Sequence, residues 1–247
     1  MGCRGEMDKA AGKRRAVYWI AAVMLGLSQG GRPGDAGAFV QQGADPGGDV
    51  SELVQALERA IPQTLLPERN VLESALRAYG RARIEHRIRH PRLTVIDYSL
   101  PSTAKRLWVV DLEKQKVLFH EWVAHGRNSG ENEADSFSNA LGTHMSSLGL
   151  FVTGETYLGG HGYSLRLDGL EAGLNDRARA RDIVVHGASY VSPEFAARHG
   201  RLGRSWGCPA LRPAVARPII DAIKDGGAVF AYYPNRERVS IQRADSR

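Results

Sequence analysis

The residue with the clearest chemical potential in this sequence is Cys208, in the segment Arg204–Pro209 (RSWGCP). The chain has two cysteines, and the other, Cys3, precedes a stretch typical of an export signal. Exported proteins usually hold cysteines in disulfides, so one unpaired thiol indicates a reactive group or an intermolecular bridge. A thiolate is a good nucleophile, but a free thiol is mostly protonated at neutral pH and needs a base or cation nearby.

His186 is the best candidate for that base. It follows the apolar run Ile183–Val185, which predicts a rigid strand end, and Gly187 allows a sharp turn after it. Gly207 permits an unusual backbone angle, and the N–H groups of Gly207 and Cys208 could stabilise an oxyanion. The 22-residue interval between His186 and Cys208 allows contact without establishing it. A buried free cysteine and a core histidine are the alternative interpretation.

The elements that must position these residues are mostly strands. Period-two patterns predict strands at 93–98, 106–111, 116–120, 148–152, 164–167, 182–186 and 227–233, with helices at 193–198 and 213–224. Two helical patterns, Leu53–Ile61 and Val71–Tyr79, come before the first strand. We therefore predict a mainly β fold with short helices, preceded by a small helical pair.

The first 38 residues read as a signal peptide. Lys13–Arg15 forms a positive region, residues 16–27 are apolar, and Ala36–Ala38 offers a cleavage site. Twelve apolar residues are short for a hydrocarbon core of about 30 Å, although an uncleaved anchor stays open as an alternative. The predicted organisation is a signal (1–38), a linker (39–50), a helical segment (51–90), a main domain (91–235) and a tail (236–247).

Composition narrows the class of protein. The chain is 43% hydrophobic and 24% charged, as in an ordinary globular domain. Of the formal net charge of +6, the first 38 residues contribute +3, which leaves a mildly basic domain. That balance is typical of a solvated basic surface and is no nucleic-acid signature.

The spacing of His186–Gly187 and Ser205–Cys208 resembles the active-site motif of murein L,D-transpeptidases, the YkuD-type cysteine transpeptidases. In that family a His-Gly pair precedes a Ser/Thr-His-Gly-Cys segment. Other similar segments are Pro101–Thr103, Val123–Gly130, Thr153–Tyr157, Gly162–Leu167 and Gly200–Pro209. The similarity covers roughly residues 93–235 and implies an L,D-transpeptidase-like β-sandwich.

The resemblance implies a role for each matching residue. Cys208 corresponds to the acyl-enzyme nucleophile and His186 to its base. The carbonyl of Gly187 would orient His186, and Ser205, Gly207 and the Cys208 N–H would shape the oxyanion site.

One position departs from the family pattern, because Trp206 replaces the usual histidine beside the nucleophile. This change bears on substrate contacts more than on the nucleophile. Further candidates for the substrate side are Arg204, Tyr163 and His161, each with a structural role as the alternative.

The implied function is that of an exported peptidoglycan L,D-transpeptidase, periplasmic or otherwise cell-wall associated. It would transfer an acyl group from a stem peptide, through a Cys208 thioester, to an acceptor amine. With water as acceptor, the same residues make an L,D-carboxypeptidase. No cofactor, metal or nucleic acid is expected, and the membrane is involved only through the N-terminal signal or anchor.

Two rival functions stay open. A zinc peptidase could use His161, Asp168 and His186 as ligands, although the expected glutamate is missing from the sequence. A non-catalytic wall-binding protein could present tryptophans to a glycan, namely Trp108, Trp122 and Trp206.

Overall fold

A computed structural model describes residues 46–234. The predicted signal (1–38), the first part of the linker and the tail (236–247) lie outside these residues. Two helices come first, α1 (Pro46–Ala60) and α2 (Arg69–Ile84). Since α1 begins at Pro46, the last five residues of the predicted linker are helical. Two shorter helices, α3 (Pro193–His199) and α4 (Pro213–Ile223), lie among the later strands.

Nine strands make up the rest of the regular structure. They are β1 (Arg92–Asp97), β2 (Leu107–Asp111), β3 (Lys116–Glu121), β4 (Val123–Ala124), β5 (Gly149–Gly159), β6 (Gly162–Gly169), β7 (Val184–Gly187), β8 (Ala210–Leu211) and β9 (Ala228–Tyr232). The prediction of a mainly β fold with short helices behind a helical pair is confirmed. Each strand predicted from the sequence overlaps an observed one.

All nine strands share one sheet, in the order β3-β2-β1-β9-β5-β6-β7-β8-β4. The pairs β1–β9 and β7–β8 are parallel, and the other neighbours are antiparallel. The two edge strands, β3 and β4, are separated by Trp122 alone. Because one residue joins the two edges, the sheet must curl back on itself and nearly close.

The central strands are buried on both faces, which their alternating side chains make possible. On β9, Ala228 and Phe230 pack into a core with α1 and α2, whereas Val229 and Ala231 pack into a second core with α4. Leu57 of α1 and Leu72 of α2 belong to the first core. A strand covered on both faces reads as a continuous apolar run, as Ala228–Ala231 does.

Within residues 46–234, no helix combines the length and apolarity that a membrane span requires.

Candidate active site

The parallel pairing of β7 with β8 brings the two predicted catalytic residues to adjacent chain segments. His186 is in register with Ala210, and Gly187 with Leu211. Cys208 lies two residues before Ala210, and the two strands are parallel. Cys208 is therefore next to the residues that precede His186. The 22-residue interval between them is taken up by α3 and the loop after it.

His186 is 1% exposed, and its ring is fixed by its own strand. Nδ1 lies 3.0 Å from the carbonyl oxygen of Gly187. Because a carbonyl only accepts, this contact places the proton on Nδ1 and leaves Nε2 as the basic nitrogen. Burial lowers the pKa of His186, the Gly187 contact opposes that shift, and the nearby His161 adds to it. The imidazole is therefore held neutral, as a base requires.

Cys208 is 9% exposed and not in a disulfide. Its thiol donates to the carbonyl oxygen of Asp182, with 3.5 Å between Sγ and oxygen. Burial raises the pKa of this thiol, while the Val184 backbone and Arg181 act in the opposite direction. Thiol and imidazole thus both favour their neutral forms without substrate. Hydrogen bonds between catalytic groups often tighten only once substrate is bound.

Ser205 shapes the turn that presents the thiol. Its Oγ accepts from the N–H of Gly207 at 3.1 Å and donates to the carbonyl of Cys208 at 2.6 Å. Without substrate, the predicted oxyanion donor Gly207 N–H is thus bonded to Ser205. The other predicted donor is the N–H of Cys208.

Gly207 is required for backbone reasons. Its φ is +116°, a region that residues with a Cβ rarely adopt. A Cβ there would lie 2.6 Å from the carbonyl oxygen of Met145. Only glycine lets the chain pass so close to Met145 immediately before Cys208.

His161, predicted as a substrate-side residue, stacks on the ring of His186. Its ring centroid lies 4.4 Å from that of His186, with 24° between the planes. His161 belongs to the two-residue turn between β5 and β6, next to Gly160 and Gly162. The end of this hairpin therefore covers one face of the His186 ring.

Trp206 is 68% exposed and lies two residues before Cys208. Its ring stacks on His144, with centroids 4.8 Å apart and 20° between the planes. Trp206, the position that departs from the motif of the resembling family, therefore forms an aromatic pair with His144 at the edge of the turn that holds Cys208.

The two other predicted substrate residues hold structure together. Arg204 donates to the carbonyls of Arg127 and Gly130 and forms an ion pair with Glu131, so its guanidinium ties down the loop after β4. The hydroxyl of Tyr163 donates to Asp221 on α4 at 2.8 Å. Both side chains have protein partners for their polar groups, which favours the structural alternative.

Sequence reasoning missed a buried pair, Arg106 and His125. Arg106 Nη2 lies 2.7 Å from His125 Nδ1, and the same guanidinium donates to the carbonyls of Val123 and Leu100. The backbone carbonyl of His125 accepts from the N–H of Ser205 at 3.0 Å. This pair thus supports the turn that holds Cys208, and only the long-range pairing of residues 123–126 with 205–211 could have revealed it.

Arg181 was missed as well. Its guanidinium donates to neutral oxygens close to Gly207. The next residue, Asp182, supplies the carbonyl that accepts from the Cys208 thiol. Three arginines in the stretch 177–181 gave no signal that one of them points inward.

The residues proposed for a zinc site do not assemble. The carboxylate of Asp168 is bound by Arg179. Across residues 46–234, no group of three or more His, Cys, Asp or Glu side chains lies close enough together to hold a metal ion.

A family model described as an L,D-transpeptidase catalytic domain matches residues 65–232. The match therefore begins before β1 and includes α2. No curated protein sequence matches the chain.

Several solved structures with a similar fold are L,D-transpeptidases. One is an L,D-transpeptidase from Mycobacterium smegmatis, 15% identical, with 58% of this chain and 59% of that chain covered and a TM-score of 0.37. Another is Mycobacterium tuberculosis L,D-transpeptidase 3 in complex with a faropenem-derived adduct (15% identity, 58% and 60% covered, TM-score 0.36). A third is Mycobacterium tuberculosis L,D-transpeptidase 1 (16%, 57% and 60%, TM-score 0.33). The matched region spans less than two thirds of each of these structures.

Proposed function

The chain belongs to the L,D-transpeptidase catalytic domain family, and from that membership we propose that it is a cysteine acyltransferase acting on peptidoglycan stem peptides. The observation that supports this best is the pairing of β7 with β8. It sets a rigid neutral histidine, His186, beside the segment of the buried thiol of Cys208.

The proposed reaction has two acyl transfers. In the first, Nε2 of His186 takes the thiol proton while Sγ of Cys208 attacks a stem-peptide carbonyl. The C–N bond then breaks, and the leaving amine of the terminal amino acid takes the proton from the imidazolium. The product of this half is a thioester on Cys208 and a free amino acid.

In the second half, an acceptor amine attacks the thioester and gives a proton to Nε2 of His186. The C–S bond breaks, a new amide forms, and the proton returns to the sulfur. If water replaces the amine, the result is a shortened stem and L,D-carboxypeptidase activity. No redox partner or metal is needed to balance either half.

Electrostatics supports proton transfer during the attack rather than a preformed ion pair. Burial raises the pKa of the Cys208 thiol and lowers that of His186, so the resting state is thiol plus neutral imidazole. Charge therefore develops as the substrate carbonyl approaches. The N–H of Cys208 is the proposed donor to the resulting oxyanion.

Substrate contacts are proposed on two sides of the thiol. His161 lies over the base at the end of the β5–β6 hairpin, and the Trp206–His144 pair lies on the nucleophile's own turn. The exposed Trp206 ring offers an apolar face to an acyl donor or to the sugar that bears it.

We also propose export to the periplasm or another cell-wall compartment. The supporting features are Lys13–Arg15, the apolar run 16–27 and the small-residue segment Ala36–Ala38. Peptidoglycan lies outside the cytoplasmic membrane, so an enzyme of this kind must reach it by export.

The proposal is tested by incubating stem tetrapeptides with the wild type and with Cys208→Ala and following the products by mass spectrometry. A cross-linked dimer identifies a transpeptidase, and a trimmed monomer identifies an L,D-carboxypeptidase. No change in either sample, with binding to sacculi intact, favours a non-catalytic wall-binding protein. Equal activity in Cys208→Ala rules out the proposed nucleophile.

A further inference from the structure

Arg181 is a half-buried cation with no acidic partner. Its guanidinium donates to the carbonyls of Ser138 and Met145 and to the hydroxyls of Ser147 and Thr143. All four acceptors are neutral oxygens. No carboxylate lies within ion-pair distance of Arg181 among residues 46–234. An arginine stays protonated in proteins, so this site holds an uncompensated positive charge.

The surrounding carboxylates are engaged elsewhere. The side chain of Asp182 is 83% exposed and pairs with Arg166. Arg179, two residues before Arg181, is bound by Asp168 and Glu155. Arg179 and Arg181 are thus close in sequence but differ in their partners. Carboxylates neutralise Arg179, whereas Arg181 keeps an uncompensated charge.

The uncompensated charge lies beside the nucleophile's turn. A Cβ on Gly207 would be 3.4 Å from Nη2 of Arg181. The same Nη2 is 2.6 Å from the carbonyl oxygen of Met145, which also approaches Gly207. The residue after Arg181 supplies the carbonyl that accepts from the Cys208 thiol.

We infer that Arg181 is the fixed positive charge that stabilises the Cys208 thiolate when His186 removes its proton. The inference rests on the proposed function, in which Cys208 is the nucleophile. The guanidinium is locked by four hydrogen bonds, so it stabilises the developing negative charge without having to reorient during the reaction. Arg181 also lowers the pKa of the thiol, against the larger effect of burial.

Other charged and titratable groups bear on the same thiol. Asp182 raises its pKa, and the buried Tyr98 and half-buried Tyr190 interact with it electrostatically. The tyrosines are neutral at physiological pH, and the Asp182 carboxylate is exposed and paired with Arg166. Arg181 is therefore the permanent positive charge that lowers the pKa of the thiol, present before His186 takes the proton and becomes an imidazolium.

The test measures the thiol itself, without substrate. The full chain is prepared with Cys3→Ser so that Cys208 is the sole thiol, and its rate of alkylation by iodoacetamide is followed from pH 5 to pH 10. Loss of a nearby positive charge in Arg181→Gln is expected to slow alkylation about tenfold at neutral pH and move the profile to higher pH. The matched control Arg179→Gln is expected to stay within about twofold of the parent.

Two more variants separate charge from loop anchoring. Arg181→Lys keeps the charge and is expected to stay within about threefold of the parent. Ser147→Ala removes one acceptor of Arg181 while leaving its charge, and it is expected to leave the alkylation profile unchanged. Arg181→Met is a second neutral variant should Arg181→Gln fail to fold, and thermal melts identify the folded proteins.

Three outcomes would overturn the inference. One is a parental alkylation profile in the folded neutral variants. Another is an equal shift in Ser147→Ala, which would make Arg181 a loop anchor. The third is a raised KM for stem peptide in Arg181→Gln with an unchanged alkylation profile, which would assign Arg181 to a substrate carboxylate. None of these bears on whether Cys208 is the nucleophile, which Cys208→Ala tests separately.

Discussion

Two buried histidines flank the Cys208 turn, and they differ in what their ring nitrogens can do. At His186, Nδ1 donates to the Gly187 carbonyl and Nε2 has no hydrogen-bond partner among the described residues. At His125, Nδ1 accepts from Arg106, and Nε2 lies 3.3 Å from the carbonyl of Gly130. Burial lowers the pKa of both, that of His125 to about 4.

A low pKa alone therefore does not identify a catalytic histidine. Burial produces it at both sites, and at His125 the neighbouring Arg106 adds to it. What separates the two is the free nitrogen. His186 has one basic atom available for a proton, whereas His125 uses both nitrogens to hold the β4 segment and, through its backbone, Ser205.

Replacing each of the two imidazole rings with an amide tests this difference most directly. His186→Gln removes the proposed base and is expected to lower kcat/KM for stem peptide by about 10²–10⁴. Its melting temperature should stay close to that of the wild type. His125→Gln should show the opposite, with a lower melting temperature and kcat/KM within about tenfold of the wild type when assayed folded. Equal activity losses in the two variants would contradict the assignment of the base.

The structural side of the comparison depends on Arg106, which is fully buried. Arg106→Met leaves His125 and the carbonyls of Val123 and Leu100 without their donor and should lower the free energy of unfolding by about 3 kcal/mol. Urea denaturation measures this change. As a control, Arg69→Met loses exposed helix ion pairs with Glu58 and Glu73 and should cost under about 1 kcal/mol. Similar losses in both variants would count against Arg106 as a core support.

The two histidines should also set the acid sensitivity of the fold. The unfolded chain binds protons to histidine near pH 6.5, but folded His125 binds one only near pH 4. The unfolded state therefore holds more protons across this window, so stability falls as pH decreases through it, by up to about 3 kcal/mol. Urea midpoints at pH 7, 6, 5 and 4 measure the slope. His125→Gln should flatten it, and an unchanged slope would contradict the buried neutral histidine.

The smallest expected effect concerns His161, which covers the His186 ring. His161→Ala removes a neighbouring imidazole and admits water to the base, and both changes raise the pKa of His186. The acid limb of the kcat/KM profile should therefore move to higher pH, with a loss of a few-fold below pH 6 and little change at pH 8. A uniform loss at all pH values would show that His161 acts through substrate contact alone and does not set the pKa of His186.

The sequence predicted some strands more accurately than others. Buried runs such as Leu93–Ile96 and Ala228–Ala231 predicted their strands, because an apolar strand between two cores admits few alternatives. β5 and β6 extend beyond the predicted 148–152 and 164–167. The far end of the hairpin is partly or fully exposed, so no buried apolar run marks it in the sequence. The contact of Nδ1 in His186 with the neighbouring Gly187 is local, and the structure has it where the resemblance implied.

The rest of the site depends on long-range pairing. The bonds of Ser205 with Gly207 and Cys208 are short-range, yet the turn is held by His125 some 80 residues away. Arg106 donates to the carbonyl of Val123, 17 residues away, and Arg181 to that of Ser138, 43 residues away. A sequence does not distinguish a buried arginine from an exposed one. Arginines that point into the protein can therefore be identified only once the strand register is known.

The central claim is that Cys208 carries the acyl group and His186 moves its proton. The most direct measurement is the mass of the enzyme itself, quenched in acid during turnover of a stem tetrapeptide and then digested. We predict an acyl adduct on the peptide that contains Cys208, abundant in the wild type and strongly reduced in His186→Gln. An adduct on another residue, or turnover that persists in Cys208→Ala, would contradict the account.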